Sequence, residues 1–215
     1  MKDHECTEQM FLDDVKNHQI SIIKDDGLHR FIRFKRPDNS TSYWFDLVTW
    51  PGFLCISGDC GTYVFSRTED MFGFFKMRDG DFNKKKDRLL NINPGYWGEK
   101  LEAIGKRGYM EFDSKEFEDK VKRCFESCFE SEDYSDEVKK KVWREIQSDV
   151  LFYSDDENEA NKAAHDFIYD LPDGEKFEFV DFWDYGRAGR FTWHYIWCLY
   201  AIVWGIIKYD EAKND

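Results

Sequence analysis

The 215-residue sequence lacks the short motifs that mark many catalytic and metal sites. It has no G-x-S-x-G, H-E-x-x-H, Walker A or G-x-G-x-x-G pattern. Its six cysteines form no C-x-x-C pair, which argues against a zinc-ribbon or thioredoxin-like site. Cys124 and Cys128 stand four residues apart, but both fall in the apolar stripe of a predicted helix and no histidine accompanies them. We therefore predict no metal, no cofactor and no enzymatic activity.

A secretory leader and a membrane span are also not expected. The N-terminal residues MKDHECTEQMF are polar and contain no apolar h-region. The longest apolar run, residues 191–207, has seventeen residues and includes His194. That length is at the lower limit of the ~17–25 residues that cross a bilayer, so we interpret the run as a buried core helix. Reduced thiols without a secretory signal are typical of a cytoplasmic protein.

Negative charge is abundant, and it is concentrated in one part of the chain. Residues 111–184 contain 24 Asp and Glu against 10 Lys and Arg, a balance of −14, whereas the other 141 residues balance at +1. Binding to phosphate depends on basic side chains, so this segment is not expected to bind nucleic acid directly. The acidic segment instead favours a protein partner whose own binding site is basic. The competing interpretation is a solvated acidic surface that only keeps the protein soluble.

The hydrophobic pattern predicts an α+β fold. Residues 19–24, 28–36, 41–50, 53–57 and 62–67 are runs of β-branched and aromatic residues separated by short turn sequences. They predict an N-terminal antiparallel meander of about five strands, with Cys55 inside a strand and Cys60 at a turn. Pro51-Gly52 predicts a type II turn.

Helical periodicity dominates the rest of the chain. We predict a helix from Thr7, a helix capped by Thr68, one over 94–104, two that begin after Asp113 and at Ser135, and one over 158–169. Residues 176–185 alternate as a final strand would. Residues 192–209 are apolar around the whole helical circumference, which predicts a central C-terminal helix packed against both the sheet and the acidic helices.

The whole chain, 1–215, is predicted to form a single α+β domain. Its sheet-rich part covers 1–76, a basic linker with Lys84-Lys85-Lys86 covers 77–92, and a mainly helical acidic part covers 93–215.

Carboxylates outside the apolar stripes of the acidic helices are the candidate partner-binding residues. They are Glu116, Glu118, Asp119, Glu126, Glu130, Glu132, Asp133, Asp136 and Glu137. Asp59, predicted at the exposed tip of a hairpin, is a further candidate contact.

Two other hypotheses stay open at this point. Arg187 and Arg190, in a glycine-containing loop before the last helix, are candidate anion ligands; the alternative is that they neutralise the neighbouring Asp181 and Asp184. With Arg30 or Arg33 they would serve a small-molecule or nucleotide-binding protein that scavenges a defence signal. A hydrolase is the third hypothesis, and its candidate acid and base residues are His29, Asp46, Asp59, Asp184 and His194.

Several long blocks carry a resemblance to a known group of proteins. They are DDGLHRFIRF, YWFDLVTWPGFLCISGDCGTYVFSR followed by EDMFGFF, NINPGYWGEKL, and WHYIWCLYAIVWGIIKYD. Together they resemble the recurrent blocks of a large family of small proteins from phages, prophages and other bacterial mobile elements. The family brings no established catalytic residues, so none are transferred.

The resemblance implies a setting in which small acidic proteins inhibit host defence, as anti-CRISPR and anti-restriction proteins do, some of them by mimicking DNA. Combined with the acidic segment, it favours an inhibitor that binds a basic, nucleic-acid-handling host protein.

Overall fold

The computed structural model describes residues 5–38, 40–76, 90–130, 134–180, 182 and 188–214. The chain folds into two compact units: a sheet unit, Met1–Tyr109 with Phe191–Asp215, and a helical unit, Met110–Arg190. The sheet unit is discontinuous, because the whole helical unit is inserted between its two segments. The single-domain organisation stays a prediction. The predicted basic linker, 77–92, lies outside the described residues except for 90–92.

Seven α-helices occur in the described part of the chain. They are α1 (Glu8–Val15), α2 (Met71–Phe75), α3 (Pro94–Gly98), α4 (Ser114–Glu130), α5 (Asp136–Asp149), α6 (Glu157–Asp166) and α7 (Trp193–Asn214). Helices α1, α2, α3 and α7 belong to the sheet unit, and α4, α5 and α6 belong to the helical unit.

An antiparallel sheet of six strands follows the order of the sequence. Its strands are β1 (Gln19–Asp26), β2 (His29–Lys35), β3 (Phe45–Trp50), β4 (Phe53–Gly58), β5 (Gly61–Ser66) and β6 (Leu101–Ile104). The predicted α+β fold with an N-terminal meander is therefore confirmed. Between β3 and β4, Gly52 has a φ of +85°, which is the conformation that a type II turn requires of its third residue.

The sixth strand corrects the sequence prediction. The helix predicted over 94–104 ends at Gly98, and Leu101–Ile104 pairs with β5 instead. Leu101 and Ile104 are three residues apart, a spacing that also fits a helix. Without β6, the edge of β5 would have unpaired backbone N–H and C=O groups. Pairing with β6 satisfies these groups, whereas a helix that continued to residue 104 would leave them unpaired.

The start of α2 is a second correction. Thr68 does not cap this helix; the Asp70 carboxylate accepts a hydrogen bond of 3.0 Å from the Phe72 N–H and is the N-cap. Asp70 also receives two hydrogen bonds from Arg30, of 2.9 and 3.1 Å. A carboxylate held by a guanidinium fixes the helix start two residues later than the Thr68 hydroxyl would.

Helix α7 covers one face of the sheet, and the prediction of an apolar core helix is confirmed. Eleven of its residues are buried, including Trp197 and Trp204. The Trp197 ring lies 5.1 Å from the ring of Phe11 on α1, and its indole N–H donates to Asp14 at 3.0 Å. Gly205 lets the helix approach the sheet, since a Cβ there would come within 2.7 Å of Leu47 Cδ1.

No helix in the described part of the chain has the length and apolarity to cross a membrane.

The helical unit has a core of its own. Phe117 and Val121 of α4 are buried with Val142 and Ile146 of α5, as their spacing predicts. The predicted caps are also observed: Asp113 accepts from the Glu116 N–H at 2.9 Å, and Ser135 accepts from Val138 at 3.4 Å.

Short strands complete the helical unit. Strand β7 (Met110–Phe112) pairs with β10 (Gly189–Phe191), and β8 (Ile168–Asp170) pairs with β9 (Lys176–Glu178). The helix predicted over 158–169 is therefore too long, because its last residues form β8. The strand predicted over 176–185 is three residues long.

Candidate partner-binding surface

The net charge of the protein belongs almost entirely to the helical unit. Residues 110–190 contain 24 Asp and Glu against 12 Lys and Arg, a balance of −12, and the sheet unit holds the remaining −1. The boundary of a separately packed unit thus coincides with the charge boundary seen in the sequence. A unit with this charge repels polyanions and attracts basic surfaces at long range.

Four candidate carboxylates share one side of α4. Glu116, Asp119, Glu126 and Glu130 are all exposed, and successive steps of about 100° place them within an arc of about 80°. We call these four residues the acidic face of α4. It extends over about 21 Å, at about 1.5 Å per residue. The buried side chains Phe117 and Val121 point to the other side of the helix, so the packing of α4 leaves the acidic face to solvent.

Basic side chains only partly offset the acidic face. Arg123 contacts Glu116 at 2.9 Å, and Lys122 contacts Glu126 at 3.8 Å. All four side chains of these pairs are about half exposed or more. Exposed ion pairs contribute about 0.2–1 kcal/mol each, so a partner with well-placed arginines can compete for these carboxylates.

The other predicted carboxylates lie apart from this face. Glu118 is about 120° away around α4 and accepts a hydrogen bond of 3.1 Å from the Ser154 hydroxyl. Asp136 and Glu137 are exposed in the first turn of α5, where negative charge stabilises the helix. Glu132 and Asp133 lie outside the described residues.

Asp59 is in the sheet unit, in the turn between β4 and β5, and its side chain supports the fold. Its carboxylate accepts a hydrogen bond of 2.8 Å from the Tyr43 N–H, while its own N–H donates to the Trp44 carbonyl at 3.0 Å. Tyr43 has a φ of +60°, a conformation that costs a side-chain-bearing residue about 1–2 kcal/mol. The Tyr43 ring in turn stacks on Trp197 at 5.7 Å. Asp59 therefore holds a strained residue against the core helix.

We expect Asp59→Ala to lower the free energy of unfolding of the sheet unit by about 1–2 kcal/mol, because the Tyr43 N–H loses its acceptor at a strained position. Asp59→Asn keeps a carbonyl acceptor and should cost less than about half of that. Urea denaturation followed by tryptophan fluorescence measures both variants. Equal losses from the two substitutions would show that the hydrogen bond is not the cause.

The arginines proposed as anion ligands are engaged with carboxylates where the structure describes them. Arg190 contacts Glu111 at 2.9 Å and Asp113 at 3.6 Å. Asp181 and Asp184, the acids of the alternative interpretation, lie outside the described residues, so that interpretation stays a prediction. Arg187 lies outside the described residues.

Arg30 and Arg33 each make a bidentate ion pair. Arg33 donates to both carboxylate oxygens of Asp46 at 2.9 Å. Arg30 binds both oxygens of Asp70, and its guanidinium lies 4.5 Å from the centre of the Phe72 ring. Burial alone would raise the pKa of Asp70, but the hydrogen bonds from Arg30 and the Phe72 N–H hold that pKa below its usual range. A phosphate would have to displace these pairs.

The acid and base candidates for hydrolysis lie at separate places. His29 is exposed at the start of β2, Asp46 is held by Arg33, and His194 near the start of α7 contacts the Arg107 guanidinium. Asp184 lies outside the described residues.

The cysteines are placed as follows. Cys60 is in the predicted turn, yet its side chain is 4% exposed, and burial raises its pKa well above the usual range. Cys128 was predicted to be buried and is exposed, since the apolar stripe of α4 continues through Phe129 rather than through Cys128. Within the described ranges, no three His, Cys, Asp or Glu side chains form a group able to hold a metal ion.

One patch of exposed apolar side chains was not predicted from the sequence. Phe152, Tyr153 and Ile168 are 77%, 43% and 55% exposed. Phe152 and Tyr153 follow α5 in a 3₁₀ turn over Leu151–Tyr153, and Ile168 begins β8 after α6. The adjacent aromatics before the polar stretch Ser154-Asp155-Asp156 were the available signal, but Tyr153 and Ile168 are brought to one groove only by the fold.

The comparisons with known proteins give no family assignment. No family model, no curated protein and no solved structure matches this chain.

Proposed function

We propose that this protein inhibits a host defence system by binding a basic, nucleic-acid-handling protein through the acidic face of α4, without catalysing a reaction. In this proposal it is an accessory protein of a phage or mobile element that acts in the cytoplasm of the bacterial host. The observation that carries the proposal is the location of the charge. The balance of −12 belongs to one compact unit, and four exposed carboxylates share one side of its longest helix.

The charge spacing limits how far this surface can imitate DNA. Four carboxylates over about 21 Å give one charge per ~5 Å. Duplex DNA carries one per ~1.7 Å, and each of its strands one per ~3.4 Å. The acidic face therefore resembles a single DNA strand with a lower charge density. The field of the whole helical unit would speed the encounter with a basic partner, while the acidic face would orient it.

The decisive variant reverses the whole face: Glu116→Lys, Asp119→Lys, Glu126→Lys and Glu130→Lys together. Four exposed charge contacts at about 0.7 kcal/mol each should weaken binding about 100-fold. The partner would first be captured from a bacterial lysate, identified and purified. Its affinity for wild type and variant would then be measured at low and high salt, with and without competing duplex DNA.

A matched control changes the net charge by the same amount in the sheet unit. It combines Asp13→Lys, Asp26→Lys, Glu69→Lys and Glu102→Lys, all at exposed positions. The control should keep most of the affinity, and circular dichroism should show both proteins folded. Equal weakening by the two sets would mean that net charge alone is recognised, and an affinity that does not change with salt would refute the electrostatic mechanism.

A further inference from the structure

A groove in the helical unit is lined by both apolar side chains and carboxylates. It lies between the 3₁₀ turn after α5, helix α6 and the start of β8, with a volume of about 320 Å³. Tyr153, Ala163 and Ile168 contribute apolar walls, and Asp149, Glu159 and Asp166 contribute the carboxylates. None of these residues lies on the acidic face of α4.

Exposed apolar side chains stand in and beside this groove, on a unit with many charges. Tyr153 lines the groove. The neighbouring Phe152 ring is not part of the lining; it is the most exposed large apolar side chain of the described residues and lies 5.2 Å from the Tyr153 ring in an edge-on arrangement. Ile168 stands more than half exposed at the groove. Burying a side chain of this size yields about 1.5–3 kcal/mol, and adjacent exposed apolar residues are typical of interaction sites.

The charge of the groove decides what enters it. The lining contains three carboxylates and one lysine, Lys162, a balance of −2. Asp166 also contacts His165 Nδ1 at 3.0 Å through one of its oxygens. An apolar peptide end would leave these carboxylates without a counter-charge, and an acidic one would be repelled. A side chain with an aliphatic stem and a cationic head satisfies both parts of the groove.

Arginine fits this description better than lysine does. A guanidinium is planar, stacks on aromatic rings and binds carboxylates with two parallel hydrogen bonds, whereas an ammonium is a more strongly hydrated point charge. The same chain already uses this arrangement once: Arg30 lies over the Phe72 ring and makes a bidentate pair with Asp70. At the groove, Tyr153 supplies a ring, and Glu159 and Asp166 supply carboxylates.

We propose that the groove lined by Tyr153, Glu159, Asp166 and Ile168 binds an arginine side chain on the surface of the partner protein. This inference rests on the proposed function, because it assumes a basic protein partner. It adds a second, shape-selective contact to the diffuse attraction of the acidic face. Arginine-rich surfaces would be selected over lysine-rich ones of equal charge.

The test uses the full-length protein and two blocked tripeptides, acetyl-Gly-Arg-Gly-amide and acetyl-Gly-Lys-Gly-amide. Each is titrated into isotope-labelled protein while backbone amide chemical shifts are recorded. The arginine peptide should give saturable shifts at residues 149–170 and bind at least 10-fold more tightly than the lysine peptide. Tyr153→Ala and the double variant Glu159→Gln with Asp166→Asn should each weaken its binding at least 10-fold.

The control is Glu69→Gln with Glu102→Gln, two exposed positions of the sheet unit, which removes the same two charges and should leave the peptide affinity unchanged. Three results would overturn the proposal: equal binding of the two peptides, shifts centred on α4, or no saturable shifts at the groove. A second copy of the chain in the groove would also overturn it; sedimentation would then show a dimer that Phe152→Ser dissociates.

The two proposals can fail separately. The peptide titration contains no host protein, so it reports on the groove whatever the outcome of the charge-reversal experiment. Loss of host binding on reversal of the α4 face, together with no arginine binding, would retain the proposed function and remove the groove. The opposite pair of results would retain the groove as an arginine site and remove the proposed mode of inhibition.

Discussion

A fragment that ends at residue 190 is expected to lose the fold of the sheet unit completely. It lacks α7, which contributes eleven buried residues to the sheet core, eight of them large aliphatic or aromatic side chains. At about 1.5 kcal/mol for each large side chain, the lost burial is roughly 12 kcal/mol. Whole domains are stable by only about 5–15 kcal/mol, so no folded sheet unit should be left.

Because the fragment keeps all of the helical unit, its unfolding must be followed in the sheet. Hydrogen exchange of peptides from β3, β4 and β5 reports on that region alone, and we expect these amides to exchange as in an unfolded chain. Protection of β3 to β5 in the fragment, at the level of the full chain, would contradict the prediction.

The matched control removes far more of the chain but should fold. Deleting residues 110–190 and joining Tyr109 to Phe191 through a short glycine-serine linker leaves both segments of the sheet unit. A short linker is sufficient because the two ends lie close together: the Thr192 N–H donates to the Tyr109 carbonyl at 3.0 Å. Protected β3 to β5 amides are expected in this protein.

Gly58→Ala should be among the most damaging single substitutions in the chain. A Cβ at this position would lie 2.2 Å from the Trp44 carbonyl oxygen and 2.7 Å from Phe45 Cα. Both are backbone atoms, so no side-chain rotation relieves the clash, and β3 and β4 must move apart where they pair. Overpacking of this kind costs about 3 kcal/mol, which lowers the melting temperature by on the order of 10 °C.

Gly73→Ala is the matched control, since it also adds one methyl group. Gly73 is inside α2, and a Cβ there meets no atom within 4 Å. Alanine is favoured over glycine in a helix by about 1 kcal/mol, so this variant should be slightly more stable than wild type. Thermal and urea unfolding measure both proteins. Gly58→Ala with wild-type stability would mean that the β3 and β4 backbones are not packed as closely as described.

Local chemistry was enough to predict most of the fold. The five strands of the meander are bounded by glycine, proline and aspartate turns, and the caps at Asp113 and Ser135 need only residues three positions away. Helix α7 was evident because it is apolar on every side, a pattern that only a buried helix sustains. These features depend on neighbours in the chain.

Features that depend on distant residues were missed or misplaced. Leu101–Ile104 becomes a strand because β5 offers an open edge about forty residues earlier in the chain. Residues 168–170 become a strand because 176–178 return beside them. The division into two units was also beyond local pattern, since α7 returns to a sheet that ended its meander at Ser66.

The residues of the candidate sites also divide into those that the sequence predicts and those that depend on the fold. The charge segment and the helical spacing of Glu116, Asp119, Glu126 and Glu130 were available from the sequence alone. The structural role of Asp59 was not, because it depends on the strained conformation of Tyr43 sixteen residues earlier. The groove was not predictable either, since Tyr153 and Ile168 meet only after the turn before α6 has formed.

The discontinuity of the sheet unit has a consequence for synthesis of the protein on the ribosome. The sheet face that receives α7, with Phe34, Phe45 and Leu47, is complete in β2 and β3, yet its cover is made only after the whole helical unit. At about 5–20 residues per second, synthesis of residues 67–190 takes roughly 6–25 s. Throughout that interval the meander exposes an apolar face, and the helical unit is complete only at its end. The unfinished sheet is therefore followed along the nascent chain by a highly acidic segment, and agents that bind exposed apolar surface would encounter the meander first.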